Sequence, residues 1–116
     1  MEADEGSFIK ASNNTFQAVY ELWLEQYRNT VKESTLQKTM ELFNNHILPA
    51  FGNIKMEKIT VSFCQKKINE WFKFHSKYNV MKNYTSSVLK FAIRMDLIKN
   101  NPMDKITVPR KMAKVD

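Results

Sequence analysis

A shortage of helix breakers is the feature that most limits what this chain can fold into. Its 116 residues include only two glycines and three prolines, whereas a β-sheet needs frequent turns, in which those residues concentrate. Hydrophobic residues make up 43% of the chain and aromatic residues 12%, which is enough for a core without a disulfide or a metal. The sequence therefore predicts a single all-α domain.

Two helices are predicted in the first half of the chain. The first follows Thr15, a residue type that caps helix starts, and its apolar residues recur at helical spacing over residues 16–27. The second is predicted to begin after Ser34 as its cap, with Gln37 completing a capping box. Its apolar stripe consists of Leu36, Met40, Phe43 and Ile47, and we place Thr35, Lys38 and Thr39 away from that stripe.

The segment NHILPAFGNIKMEKIT, residues 45–60, is predicted to be a corner between the second and third helices. Pro49 disfavours helical geometry in the residue before it, so the second helix should end by about Ile47. Phe51 is expected in the core, and Gly52 is expected to supply a backbone turn that other residues resist. Thr60 is the predicted cap of the third helix.

The second half of the chain contains two more predicted helices. The third has apolar positions at Phe63, Cys64, Ile68, Trp71 and Phe72. The fourth runs from about residue 79 to Met95, and Pro102 prevents any helix from continuing past Asn101. Its core-facing residues are Tyr84, Val88, Phe91 and Met95. This gives a leader at 1–13, a helical domain at 14–102 and a basic linker at 103–116.

Positive charge is concentrated toward the end of the chain. The formal net charge is −3 over residues 1–33, +4 over 34–81 and +5 over 82–116. Such an asymmetry favours a polyanionic partner, because Lys and Arg beside phosphates release condensed counterions. A soluble basic surface with no partner explains the same numbers equally well.

The sequence contains no recognisable catalytic or metal-binding arrangement. His46 and His75 lack metal-ligand spacing, the carboxylates are scattered, and Cys64 lies on an apolar stripe. We therefore predict no cofactor, no metal and no enzymatic activity for this chain. The acidic start is unlike a secretory signal, and no apolar run approaches the ~20 residues of a membrane span. A cytoplasmic location is the simplest expectation.

One side of the fourth helix is the best candidate for a DNA-binding surface. It combines lysines, which contact phosphates, with short polar side chains that allow close approach and can bond base edges. These residues are Lys82, Asn83, Ser86 and Lys90. Thr35 and Lys38 lie near the start of the second helix, where exposed amides favour phosphate. The alternative is an ordinary solvated helix face.

Two longer motifs resemble the core-binding, SAM-like domain of phage-type integrases, which are tyrosine recombinases. They are TLQKTMELFNNHILPAFGNIKMEKIT, around the second helix and its corner, and FAIRMDLIKNNPMDKITVPRK, around the end of the fourth. With the first helix, the resemblance covers about residues 15–111. The family commonly has glycine where Asp96 stands, and we expect Asp96 to adopt the same left-handed conformation.

The resemblance implies a compact four-helix bundle that clamps double-stranded DNA at the core attachment site. It adds Lys77 and Asn79 to the candidate residues on the fourth helix, and it places Arg110 and Lys111 along the DNA backbone. The catalytic residues of such recombinases belong to a following domain and are not found in this sequence. Other integrase protomers would be partners in the full-length protein. A helical protein–protein interaction module is the alternative function, since similar bundles serve that purpose.

Overall fold

The computed structural model describes residues 14–110, whose regular secondary structure is helical apart from one isolated β-bridge between Thr15 and Lys55. The elements are α1 (Phe16–Tyr27), α2 (Glu33–Leu42), a π-helical turn (Phe43–Ile47), α3 (Leu48–Phe51), a 3₁₀ turn (Met56–Lys58), α4 (Val61–Phe74), α5 (Tyr78–Arg94) and a second 3₁₀ turn (Pro102–Lys105). Since α2, the π-helical turn and α3 are continuous, this part of the chain forms four helical rods. The prediction of an all-α, four-helix fold is confirmed. Among residues 14–110, no helix combines the length and the apolar character that crossing a membrane requires.

The start of α1 is held by backbone hydrogen bonds to the corner between α3 and α4. The amides of Phe16 and Gln17 donate to the carbonyls of Ile54 (2.9 Å) and Gly52 (3.0 Å), and the amide of Met56 donates back to Asn14 (2.8 Å). The Thr15 hydroxyl accepts from the amide of residue 18 at 3.2 Å, as predicted for a cap. The first amides of a helix have no acceptor within the helix, and here those of residues 16–18 donate to the corner and to Thr15.

The predicted start and end of the second helix are both wrong. The helix begins two residues earlier than a Ser34 cap would allow, after Lys32, and Gln37 donates to the carboxylate of Glu33 (3.0 Å) instead of completing a capping box. Glu33 suits this position because a carboxylate is stabilised in the first turn of a helix. Pro49 does not end the rod, because it lies in the first turn of α3, where its missing N–H is tolerated.

Gly52 is needed for space, and the prediction of an unusual backbone turn there is wrong. Its φ and ψ are −54° and −41°, which are ordinary right-handed helical values. A Cβ at this position would lie 2.7 Å from the carbonyl oxygen of Leu48 and 3.3 Å from Oε1 of Gln17. Glycine therefore allows the close approach to the Leu48 carbonyl within α3, and it also leaves room for the side chain of Gln17 on α1.

Aromatic side chains from several elements fill the core. Phe51 is fully buried, as predicted, and its ring centroid lies 5.4 Å from Phe16, 5.2 Å from Phe63 and 5.7 Å from Trp71. Cys64 is also buried, and burial raises the pKa of its thiol to about 12. A thiol with that pKa stays protonated at neutral pH and packs as a small apolar group.

The start of α4 and the end of α5 agree with the prediction, except that Met95 is not in the core. The Thr60 hydroxyl caps α4 by accepting from the amide of Phe63 at 3.1 Å. Asp96 has φ 62°, and the Leu97 amide donates to the carbonyl of residue 92 at 2.9 Å, as in a glycine-type helix stop. Met95, which we expected in the core, is 43% exposed because α5 ends before it and the chain turns away.

Residues just beyond 102 pack against the bundle, so the predicted boundary between domain and linker is too early. Met103 is 1% exposed. The Thr107 amide donates to Oε1 of Gln65 (2.8 Å), and the Tyr78 hydroxyl donates to the carbonyl of Pro109 (2.9 Å). The chain therefore remains attached to α4 and α5 until about residue 109. The predicted leader at 1–13 and the residues from 111 onward lie outside the described part of the chain.

Two histidines meet where the rod containing α2 and α3 passes the end of α4. The ring centroids of His46 and His75 lie 4.4 Å apart. Partial burial lowers the pKa of His46, and the charge of His75 lowers it further. Protonation of His46 is therefore less favourable in the folded protein than in the unfolded chain.

Truncating Met103 tests whether the segment after 102 belongs to the folded unit. We expect Met103→Ala to lower the free energy of unfolding by about 2–5 kcal/mol, because it leaves a cavity under the 3₁₀ turn. Urea denaturation followed by circular dichroism measures this, with Lys105→Ala, an exposed change in the same turn, as the control. Equal stabilities for the two variants would mean that the segment is not packed in solution.

The histidine pair predicts that stability falls with acidification. Because the folded-state pKa of His46 is lowered, the unfolded chain binds the proton more readily, so stability rises with pH. We expect the melting temperature to decrease as the pH falls from 7.5 to 5.5, and His46→Gln to flatten this dependence. A wild-type melting temperature that is constant over this range would contradict the assignment.

Candidate nucleic-acid interface

The longest stretch without an acidic residue coincides with α5. Residues 71–95 contain five lysines or arginines and no aspartate or glutamate. Among residues 14–110, the one ion pair joins Lys67 to Glu70 on α4, at 3.4 Å. The cations of α5 are therefore not neutralised by carboxylates in the described part of the chain, and their charge is available to a polyanion.

The open face of α5 differs from the predicted stripe of Lys82, Ser86 and Lys90. Ser86 is 8% exposed, and its hydroxyl accepts a hydrogen bond from Nδ2 of Asn101 at 2.8 Å. It therefore lies under the segment that follows α5 and not on a DNA-facing surface, which corrects the prediction. Lys82 is half-buried, whereas Lys90 is exposed.

The exposed stripe of α5 has steps of three and four residues. All its members are exposed or half-buried, and they are Val80, Asn83, Ser87, Lys90 and Arg94. The prediction included Asn83 and Lys90 but missed Ser87 and Arg94. Their spacing was the signal available in the sequence, because steps of three and four keep residues on one face of a helix, but it does not show that this face is open. We refer to these five residues as the α5 stripe.

The carboxyl-terminal half of the α5 stripe borders a cleft against the end of α1. The cleft has a volume of about 310 Å³. Its floor contains Trp23 and Phe91, which are largely buried, and the cations on its rim are Lys90 and Arg94. The other lining residues are Gln26, Tyr27, Thr30 and Ser87. Two cations beside hydroxyl and amide groups form a surface that suits a phosphate.

Three hydroxyl groups join α1, α2 and α5 beside this surface. The Tyr27 hydroxyl lies 3.0 Å from Oγ1 of Thr39 and 3.2 Å from the Tyr84 hydroxyl, and Thr39 and Tyr84 are 3.3 Å apart. Thr39 is 3% exposed, so placing it on the open side of α2 was wrong. Burial raises the pKa of Tyr27, which keeps its hydroxyl protonated for hydrogen bonding.

The exposed candidates of α2 lie beside this cluster. Thr35 and Lys38 are both exposed. The Thr39 hydroxyl bonds the carbonyl of Thr35, one turn earlier, at 2.9 Å, while Tyr84 directly follows Asn83 in sequence. The hydroxyl cluster thus fixes the first turns of α2 relative to the middle of α5.

The remaining candidates lie near the start of α5. Lys77 precedes the helix, and Asn79 is in its first turn, and both are exposed. Arg110 is exposed as well, and the Tyr78 hydroxyl holds the preceding residue, Pro109, near this helix start. Lys111 lies outside the described residues. Within residues 14–110, no group of three or more His, Cys, Asp or Glu side chains is placed to hold a metal ion.

Comparison with known proteins identifies the family. Residues 15–72, half of the chain, match the model of the phage integrase N-terminal SAM-like domain. The chain belongs to this family. The matched family is the N-terminal part of an integrase and not its catalytic domain. The matched residues run from α1 to most of α4 and do not reach α5, so the assignments on α5 rest on the geometry described above.

A probable integrase of prophage ps2 from Lactococcus lactis subsp. lactis is 28% identical to this integrase domain over 104 residues. The match covers 90% of this chain but 27% of that protein, so the chain spans about a quarter of the relative's length.

Solved structures share the fold. The integrase-like domain from Bacillus cereus, solved by NMR, has a TM-score of 0.78 at 25% identity, with 88% of this chain and 89% of that chain covered. A fragment of the putative phage integrase IntS of E. coli has a TM-score of 0.71 at 22% identity, with 82% of both chains covered. The predicted SAM-like bundle is confirmed.

Two adjacent serines test which face of α5 is open. We expect Ser86→Ala to destabilise the domain by about 1–3 kcal/mol, because it removes the acceptor for a buried amide of Asn101. Ser87→Ala should change stability by less than about 0.5 kcal/mol, since Ser87 is more exposed and its hydroxyl bonds only a carbonyl of its own helix. Chemical denaturation measures both values. The reverse order would mean that the helix is rotated from the orientation described.

Proposed function

We propose that this integrase domain binds double-stranded DNA through α5 and the start of α2 and carries out no chemistry itself. In a full-length tyrosine recombinase, it would hold the core attachment site as one half of a clamp during integration and excision. The observation that supports this most strongly is the α5 stripe. Its first half is uncharged, its second half contains two cations, and α5 has no acidic residue.

The dimensions of the α5 stripe suit a helix that enters the major groove at its amino-terminal end. From Val80 to Arg94 the helix rises about 21 Å at 1.5 Å per residue, whereas the groove is about 12 Å wide. Asn83 can then contact a base edge, because asparagine bonds adenine in a bidentate manner. Lys90 and Arg94 would contact the phosphates that flank the groove, and arginine can bind a phosphate through two parallel hydrogen bonds.

The start of α2 offers a second contact with the same duplex. Thr35 lies in the first turn, where the helix dipole and free amides favour a phosphate, and Lys38 adds a positive charge in the next turn. Lys77 and Arg110 extend the positive surface around the start of α5. We include Lys82 and Asn79 among the contacts, and Lys111 if the chain continues along the backbone. Ser86 is excluded because it is buried.

A contact between integrase protomers is a second candidate function, and the exposed Phe74 favours it. Phe74 is 75% exposed at the end of α4, and it is not among the residues proposed to contact DNA. Phe74→Ala should therefore leave DNA affinity unchanged and reduce only self-association. The two functions are compatible in a recombinase, which assembles several protomers on DNA.

Salt dependence tests DNA binding directly. If Lys38, Lys82, Lys90 and Arg94 each neutralise one phosphate, the logarithm of the association constant should fall with the logarithm of salt concentration with a slope of about −3 to −4. Fluorescence anisotropy on a labelled duplex at several salt concentrations measures the slope. Binding that is insensitive to salt, or absent even at low salt, would refute the proposal for this domain.

Charge-matched variants locate the contact. Lys90→Ala and Arg94→Ala should each weaken binding on every sequence and make the salt slope less steep by about 0.9. Lys66→Ala, which removes the same charge from the exposed side of α4, should have a smaller effect on affinity and leave the slope nearly unchanged. Equal effects of all three variants would indicate a general attraction to net charge instead of a defined surface.

A further inference from the structure

Val80 is an apolar side chain on the open face of α5. It is 43% exposed and is one of three large hydrophobic side chains with substantial exposure in the described chain. The other two, Phe74 and Met95, lie outside the α5 stripe. Val80 precedes Asn83 by three residues, so the two side chains are neighbours on the surface of the helix.

The surroundings of Val80 determine which partner suits it. Asn83 lies beside it on the helix surface, Asn79 precedes it in the sequence, and no acidic residue occurs between Glu70 and Asp96. A stable protein interface needs roughly 800 Å² from each partner and an apolar centre made of several residues. A single exposed valine beside an asparagine does not supply that. The surface instead suits an anionic partner with one small apolar group.

DNA offers such a group in its major groove. The 5-methyl group of thymine is the apolar feature on the base edges there, and small apolar side chains contact it. We propose that Val80 is a specificity-determining residue that contacts a thymine methyl group, beside an adenine bonded by Asn83. This rests on the proposed function, because it requires α5 to lie in the major groove.

The spacing of the two side chains implies a particular base sequence. Cβ atoms three residues apart on a helix are about 5–6 Å apart, while successive base pairs are separated by 3.4 Å. Val80 and Asn83 would therefore contact one base pair or two successive ones. The domain should prefer a site in which thymine and adenine are adjacent or paired, at the position where the start of α5 enters the groove.

Replacing thymine by uracil removes only the methyl group and gives a direct test. A preferred duplex is first selected by the wild-type chain from a randomised pool at low salt. Each thymine in that duplex is then replaced by uracil, one at a time, and dissociation constants are measured for the wild type and for Val80→Ala. Val80→Ala should leave folding intact, because Val80 is exposed and alanine is the better helix former.

We expect one replacement to weaken wild-type binding by about fourfold, the value for about 0.8 kcal/mol per buried methylene-sized group. Val80→Ala should bind the thymine and uracil duplexes equally well. Met95→Ala, with the same 43% exposure but outside the α5 stripe, should retain the wild-type ratio.

The alternative outcomes separate this inference from the proposed function. If the wild type binds with the expected salt slope but no uracil replacement affects it, Val80 does not contact a methyl group, although DNA binding stands. An effect of uracil that is the same in Val80→Ala also overturns the assignment and leaves DNA binding intact. If no salt-dependent binding is found, the proposed function fails, and this inference fails with it.

Discussion

The bundle depends on the pairing between the corner after α3 and the start of α1. Gly52 and Ile54 accept hydrogen bonds from the first amides of α1, and Met56 donates to Asn14 in return. These bonds supply partners that a helix start otherwise lacks, and the fully buried Phe51 anchors the corner from inside. Because α1 and the rod of α2 and α3 meet here, the position of α2 relative to the rest of the bundle follows from this contact.

A second constraint joins the two helices that are proposed to face DNA. The hydroxyls of Tyr27, Thr39 and Tyr84 lie within 3.3 Å of one another, between α1, α2 and α5. The Thr39 hydroxyl is within donating distance of both the Thr35 carbonyl (2.9 Å) and the Tyr84 hydroxyl (3.3 Å), so it links the backbone of α2 to α5. Removing one hydroxyl would leave the others poorly satisfied, which explains why a polar cluster can fix the relation between the helices.

The predicted stripe on α5 includes one buried residue, Ser86, and this error has a geometric cause. Residues spaced by four, such as Lys82, Ser86 and Lys90, drift by about 40° per step around a helix with 3.6 residues per turn. The sequence alone could not show that Ser86 lies under Asn101, because that contact joins residues 15 positions apart. Alternating steps of three and four, as in the α5 stripe, stay closer to one face.

The sequence by itself determined the number of helices and the caps at Thr15 and Thr60, since each depends on neighbouring residues. The expectation that Phe51 is buried came from its apolar character, and the left-handed turn at Asp96 came from the family resemblance. Family membership also followed from local motifs. Only the tertiary structure decided that Pro49 continues a helical rod, that Gly52 serves close packing and that Met103 belongs to the core. It also decided which side of α5 is open. Those features depend on which distant segments pack together, and local spacing and propensity carry no information about that.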